Sequence, residues 1–182
     1  MIKLFNTGET QETLRQDYNP DGSVLRRAQL RMLDMAIYLQ ETAKKIGIPL
    51  RLDGGNVLGA LRHGGFIPWD DDIDMVISQK DFKRFCDYLK AHPHPNYVLQ
   101  DNSTDSGFYK EWACLRDLRT ENRSHENFNS ENRRIHEAQK YRGLHIDIFP
   151  YEGNMIPWLQ HLAAKLSVNV NLKMAGRYPR AA

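Results

Sequence analysis

The chain has 182 residues, 41% of them hydrophobic and 26% charged, enough for one α/β domain with a proper core and too few for two comfortable ones. A formal net charge of +2 gives no footing for non-specific nucleic-acid binding, so no nucleic-acid partner is expected. The N-terminus has no apolar stretch of a secretory signal, no run approaches the ~18 apolar residues of a membrane span, and the cysteines are only Cys86 and Cys114; a cytoplasmic protein with reduced thiols is the expectation.

Residues 1–20 are polar and lead into the turn signal Asn19-Pro20-Asp21-Gly22. An amphipathic helix is expected from about Leu25 to Ile46, its stripe formed by Leu30, Leu33 and Ile37 with Met32, Ala36, Leu39 and Ala43 beside them. Gly47 stands where a left-handed cap is wanted, and Pro49 follows. Ile48–Leu52 reads as a short buried strand, and Asn56–Arg62 as a short helix closed by His63-Gly64-Gly65. A second strand is expected over Asp72–Ile77. Ser78 and Asp81 then resemble a capping box ahead of a helix that buries Phe82, Phe85, Cys86 and Leu89. Tyr97–Gln100 and Trp112–Leu118 are further strands. The polar stretch 119–142 reads as a long loop or lid, Leu144–Phe149 as the last strand, and Trp158–Val168 as a helix.

The chemistry concentrates in Pro68-Trp69-Asp70-Asp71-Asp72-Ile73-Asp74, with four carboxylates in five positions. On a strand, alternate side chains share a face, so Asp70, Asp72 and Asp74 should point one way and Asp71 the other. Unscreened, such a cluster opposes its own ionisation. A hard divalent cation such as Mg²⁺ relieves the repulsion and also bridges phosphate oxygens. An EF-hand loop is excluded, because its obligatory glycine and bidentate glutamate positions fall on Met75 and Asp81. Upstream, Gly54-Gly55-Asn56 lies between a strand and a helix, where backbone N–H groups approach a phosphate closely. A phosphate cradle before an acidic strand is a layout of nucleotidyltransferase folds, which often carry a third carboxylate on a neighbouring strand. Asp147, in His145-Ile146-Asp147-Ile148-Phe149-Pro150, is the candidate, since a buried strand carries a charge only when it is paired or bound to metal.

The run from Asp53-Gly54-Gly55-Asn56 to Asp72-Ile73-Asp74 resembles the signature of the LicD family, and Gly143–Pro150 resembles that family's second motif. The resemblance spans about residues 50–150 of one domain over 1–182, with a core at about 25–150. It implies an α/β (α+β) nucleotidyltransferase-like mixed sheet flanked by helices. It further implies a transferase dependent on Mg²⁺ or Mn²⁺, moving a phosphoryl-alcohol group, typically phosphocholine from CDP-choline, to a sugar of a surface glycan such as lipopolysaccharide or teichoic acid. Residue by residue, Asp72 and Asp74 match the metal pair with Asp70 adjacent. Asp147 matches the second-motif acid, completing the metal shell or taking the acceptor's proton. Gly54, Gly55, Arg62 and His63 match the donor-side loop, with Asn56 where the family usually has threonine. Family members commonly continue past the second motif, so the expectation includes an incomplete acceptor side.

Other readings stay open beside this one. Asp72-Ile73-Asp74 also fits the D-x-D of glycosyltransferases, nucleotidyl transfer uses the same fold, and a non-catalytic nucleotide- or glycan-binding fragment is a different class altogether. His63 is equally read as a helix-end cap, and His145 as a structural hydrogen-bonding group. Zinc at Cys86, His92 and His94 is disfavoured, because a helix-face cysteine before a proline turn is ordinarily structural. Arg119, Arg123, Arg133, Arg134, Lys140 and Arg142 suit either a solvated loop or a lid over a nucleotide or an anionic lipid-linked acceptor. Met155–Leu159 suits packing on the domain or a peripheral contact at the inner face of the membrane.

Overall fold

The computed structural model describes residues 10–122 and 130–151. Five strands form one mixed sheet in the order β1-β2-β5-β4-β3: β1 Leu50–Leu52, β2 Asp74–Ser78, β3 Tyr97–Gln100, β4 Ala113–Asp117 and β5 His145–Tyr151. β2 and β5 run parallel, and the remaining pairs are antiparallel. The helices are α1 Gln11–Tyr18, α2 Val24–Lys45, α3 Gly54–His63, α4 Gln79–Ala91 and α5 Ser130–Glu137. This is the expected mixed α/β class.

The register makes the two faces of the sheet chemically different. Met75 pairs with Ile148, which pairs with Ala113, and Ile146 pairs with Leu115, which pairs with Leu99. These residues are buried on one face against Met32, Met35 and Leu39 of α2 and Phe85 and Leu89 of α4. Each such side chain contributes about 1.5–3 kcal/mol by leaving water. The neighbouring positions fall on the other face, where Asp74 pairs with Asp147 and Asp147 with Cys114. A largely apolar face thus carries the fold, and leaves the opposite face to chemistry.

The expected Ser78–Asp81 capping box does not form, Ser78 Oγ donating to the Asp81 carboxylate at 2.6 Å instead of capping the backbone, and the described elements correct the sequence reading in four further places. First, only part of the expected α2 stripe is buried: Met32, Ala36, Leu39 and Ala43 are, as expected, together with Gln29, Met35 and Thr42, whereas Leu30, Leu33 and Ile37 are 45%, 43% and 48% exposed. Both sets have helical spacing, and periodicity alone could not choose between them. Secondly, the polar N-terminal stretch forms α1, started by a reciprocal Thr10–Thr13 capping box and an Arg15–Glu12 pair rather than by buried apolar residues. Thirdly, α5 occupies part of the stretch read as a loop or lid. Fourthly, β2 begins at Asp74 rather than Asp72. Gly47 is left-handed as expected, at φ 68°. The expected helix Trp158–Val168, Met155–Leu159 and Arg123 lie outside the described residues.

Candidate active site

Two buried amide side chains hold the acidic segment. Gln29 of α2 donates from Nε2 to the carbonyls of Asp70 at 2.8 Å and of Pro68 and Ile67 at 3.3 Å. Its Oε1 accepts from Asn19, also buried, at 2.9 Å. Asn56 of α3 donates from Nδ2 to the carbonyl of Asp72 at 3.0 Å and accepts the N–H of Asp74 on Oδ1 at 2.6 Å. Asn56 was expected on the donor side; both polar ends of its amide here serve the backbone of the carboxylate run. These bonds fix Asp70–Asp72 ahead of the sheet pairing, in which the Ile73 carbonyl already accepts from the Asp147 N–H at 3.2 Å. The strict alternation expected of a strand therefore fails at Asp71, and oxygens of Asp70, Asp71 and Asp72 lie within 4.8 Å of one another.

The glycine turn closes against these carboxylates. Gly54 has φ 52°, a left-handed conformation that disfavours a side chain. A Cβ on Gly55 would lie 3.2 Å from Oδ2 of Asp70, and one on Gly54 would lie 3.9 Å from Oδ2 of Asp74. The N-terminus of α3, with its partial positive charge, therefore faces the acidic group. Arg62 and His63 lie at the other end of that helix, about 12 Å along its axis from the glycines. There Arg62 Nε donates to His63 Nε2 at 2.9 Å, His63 Nδ1 meets Gln11 of α1, and the His63 ring stands edge-on to Trp69 at 6.4 Å. Burial, then Arg62, lowers the His63 pKa.

Electrostatically the carboxylates are under-compensated. Burial, followed by Asp72, Asp147 and Asp53, pushes Asp74 up to about 6, against the opposing charge of Lys110. Asp72 is raised by burial and then by Asp70, Asp71 and Asp147, and Asp70 by burial and then Asp71. Oδ2 of Asp70 is buried with no hydrogen-bond partner. A buried, unpartnered carboxylate oxygen among like charges is costly unless a cation satisfies it. This donor set, all oxygen, fits a hard divalent ion.

Asp147 differs. Both its oxygens accept from Lys110 Nζ, at 2.9 and 3.0 Å, and Cys114 Sγ donates to Oδ1 at 2.7 Å. Burial pushes its pKa up, but its charged and hydrogen-bonding neighbours, His145, Cys114 and Lys110, outweigh that and hold it below the ordinary value. His145 is itself driven well below its ordinary value by burial and then by Arg116. Arg116, buried in β4, donates to Gln100 Oε1 at 2.5 Å, the Gly143 carbonyl at 2.9 Å and His145 Nδ1 at 3.1 Å. Lys110, Gln29 and Asp53 were missed in the sequence. Gln29 shares the buried phase of α2 and was findable once that phase was fixed; Lys110 sits in an irregular segment with no pattern to mark it. The carboxylates lie apart from a cleft of about 390 Å³ between α4 and residues 101–112, whose Lys83 and Lys90 are paired with aspartates.

A family model described as LicD/FKTN/FKRP, nucleotidyltransferase domain, matches residues 47–169. The chain belongs to the LicD family. Lipopolysaccharide cholinephosphotransferase LicD of Haemophilus influenzae is 32% identical over 131 residues, covering 71% of this chain and 44% of that protein. Ribitol 5-phosphate transferase FKRP, from mouse and from human, is 30% identical over 135 residues, covering 68% of this chain and 23% of that protein. The chain thus spans under half the length of these LicD-family relatives. Among the described residues no helix is long and apolar enough to cross a membrane.

Proposed function

We propose that this chain is a divalent-metal-dependent transferase that moves a phosphoryl-alcohol group, phosphocholine or a close analogue, from a CDP-activated donor to a sugar of a cell-surface glycan or its lipid-linked precursor. We infer that it acts in the cytoplasm. Two relatives bearing different alcohols, choline phosphate and ribitol 5-phosphate, share the phosphoryl-alcohol chemistry in their names. The observation that carries the reading is the unbalanced acidic group, with Asp74 raised to about 6 and an unpartnered Asp70 oxygen. Such a group opposes folding unless a cation is its ordinary occupant.

Asp72, Asp74 and Asp147 would hold Mg²⁺ or Mn²⁺, with Asp70 adjoining. The ion supplies Lewis-acid neutralisation of charge on the transferring phosphoryl group and the departing nucleotide. Gln29 and Asn56 fix the backbone that presents the carboxylates, a preorganisation that needs no movement during reaction. Asp147, held ionised by Lys110, is better suited to holding a cation than to taking a proton, because its depressed pKa makes it a weak base near neutral pH. The N-terminal turn of α3 at Gly54-Gly55 favours negative charge, its own carboxylates or a donor phosphate alike; contacts of Arg62 or His63 with the donor would lie toward its far end.

The test is release of CMP from CDP-choline, with a ribitol 5-phosphate donor activated in the same way and several sugar nucleotides alongside, in Mg²⁺ or Mn²⁺. Metal-dependent CMP release that disappears in Asp72→Ala and Asp74→Ala supports the reading. Turnover of sugar nucleotides alone moves the protein to glycosyl transfer, and no turnover with metal bound moves it to a non-catalytic binding role.

A further inference from the structure

Lys110 lies outside both sequence motifs, in the irregular segment between β3 and β4, yet its ammonium reaches into the carboxylate group. It forms a two-pronged ion pair with Asp147, the two side chains being only 13% and 15% exposed. Asp147 is the register partner of Asp74, so Lys110 stands beside the proposed metal position. The ammonium also faces an aromatic ring: Nζ lies 5.3 Å from the centre of the Trp112 ring, and Trp112 packs on Phe149 at 4.8 Å.

The third direction of the ammonium is mismatched. Nζ is 3.4 Å from Nε2 of His145, while Arg116 donates to Nδ1 of the same ring at 3.1 Å. An imidazole offers at most one acceptor nitrogen, whatever its protonation state. It cannot accept from both cations, and Arg116 has the shorter contact. The Lys110 proton aimed at His145 therefore meets another N–H rather than a lone pair. An ammonium with one poorly placed proton, on a flexible stem, beside an acidic group suited to metal, is placed to take an anionic oxygen.

Charge counting points the same way. One divalent ion offsets two carboxylates, and a diphosphate then adds negative charge that α3 alone meets only with a partial dipole. We propose that Lys110 binds the donor's phosphate: its ammonium rests on Asp147 in the metal-free protein and contacts a phosphate oxygen of the donor once a divalent ion occupies the carboxylates. This rests on the metal-site reading above and adds to it a residue, a ligand class and an exchange of partners.

The test uses the full chain, Mn²⁺ and inorganic pyrophosphate as the probe, with binding followed by titration calorimetry and Mn²⁺ electron paramagnetic resonance. Lys110→Met removes the charge and keeps an unbranched side chain; Lys110→Gln also keeps a hydrogen-bond donor toward Asp147 and covers the case in which the first variant does not fold. Both should bind Mn²⁺ at least as tightly as the unsubstituted chain, a competing cation having been removed. Both should lose about tenfold or more in pyrophosphate affinity for the Mn²⁺-loaded protein, the scale of one charge-assisted hydrogen bond, with Lys110→Arg retaining most of it. Unchanged pyrophosphate affinity in the neutral variants overturns the proposal and leaves the metal site standing. Weakened Mn²⁺ binding in them overturns it as well, because Lys110 would then serve only to shape Asp147. Absence of Mn²⁺ binding in the unsubstituted chain overturns the metal-site reading and the Lys110 role together.

Discussion

Asp117, at the end of β4, and Asp74, at the start of β2, are both drawn out of water, and the protein treats them oppositely. The Asp117 side chain is 0% exposed and accepts from the Arg119 backbone and Nε at 2.9 Å, Arg119 Nη2 at 3.0 Å and Arg31 Nη1 at 3.4 Å. Burial pushes its pKa up, but those bonds and charges outweigh it and hold it below the ordinary carboxylate range. Asp105 is handled in the same way, taking hydrogen bonds from Gln100 at 2.6 Å and from the N–H groups of Lys140 and Gly107 at 2.7 and 2.9 Å. Asp74 has other acids for neighbours and is pushed up to about 6. One chain thus satisfies its structural carboxylates fully and leaves another group unbalanced. That contrast supports the proposal that the second group holds a cation rather than serving the fold.

The sharpest break of this comparison is in activity. Asp72→Ala and Asp74→Ala should each lower metal-dependent donor cleavage by about a thousandfold or more, while thermal unfolding of the metal-free protein stays level or rises. Asp117→Ala should do the reverse: it strands two arginines and costs about 2–4 kcal/mol in denaturant unfolding, with metal affinity nearly unchanged. Next comes Asn56→Ala, which removes both clamps on the acidic segment. It should cost about 1–2 kcal/mol and weaken metal binding along with it.

The fold was legible where the physics is local, and less so where it depends on partners far along the chain. β3 falls at Tyr97–Gln100 as expected, because turn residues and apolar side chains bound it on both sides. The stripe of α2 was read too broadly because Leu30, Leu33 and Ile37 repeat as regularly as Met32, Ala36 and Leu39. What decides between the stripes is the sheet, which one helix cannot report. The carboxylate run and Asp147 stand out in sequence as charges in apolar surroundings. The adjacency of Asp74 and Asp147 depends on the parallel pairing of β2 and β5, and Lys110 joins them only in three dimensions. Gln29 looked like an ordinary polar helix residue until its bonds to residues 67–70 gave it a task.

Smaller effects sharpen the same contrast. In the metal-free protein Asp74→Asn should stabilise the fold at pH 7 by about 1–2 kcal/mol, after discounting for solvent screening. The sign follows from a raised pKa: the folded chain binds the extra proton between the unfolded value near 3.8 and about 6, so ionising Asp74 costs stability as pH rises through that window. The advantage of the variant should shrink toward zero near pH 4. Asp117 runs the other way, its contribution being lost as pH falls through its depressed pKa. Leu33→Gln, on the exposed stripe, should change unfolding by less than about 0.5 kcal/mol, against about 2–5 kcal/mol for Leu39→Ala in the core.

The most direct measurement is a calorimetric titration of the metal-free chain with Mn²⁺ near pH 6, in buffers of different ionisation enthalpy. The account predicts saturable binding, release of protons as the raised Asp74 gives up its share, and loss of that binding in both Asp72→Ala and Asp74→Ala. An unsubstituted chain that binds no Mn²⁺, or binds it equally well without those two carboxylates, would contradict it.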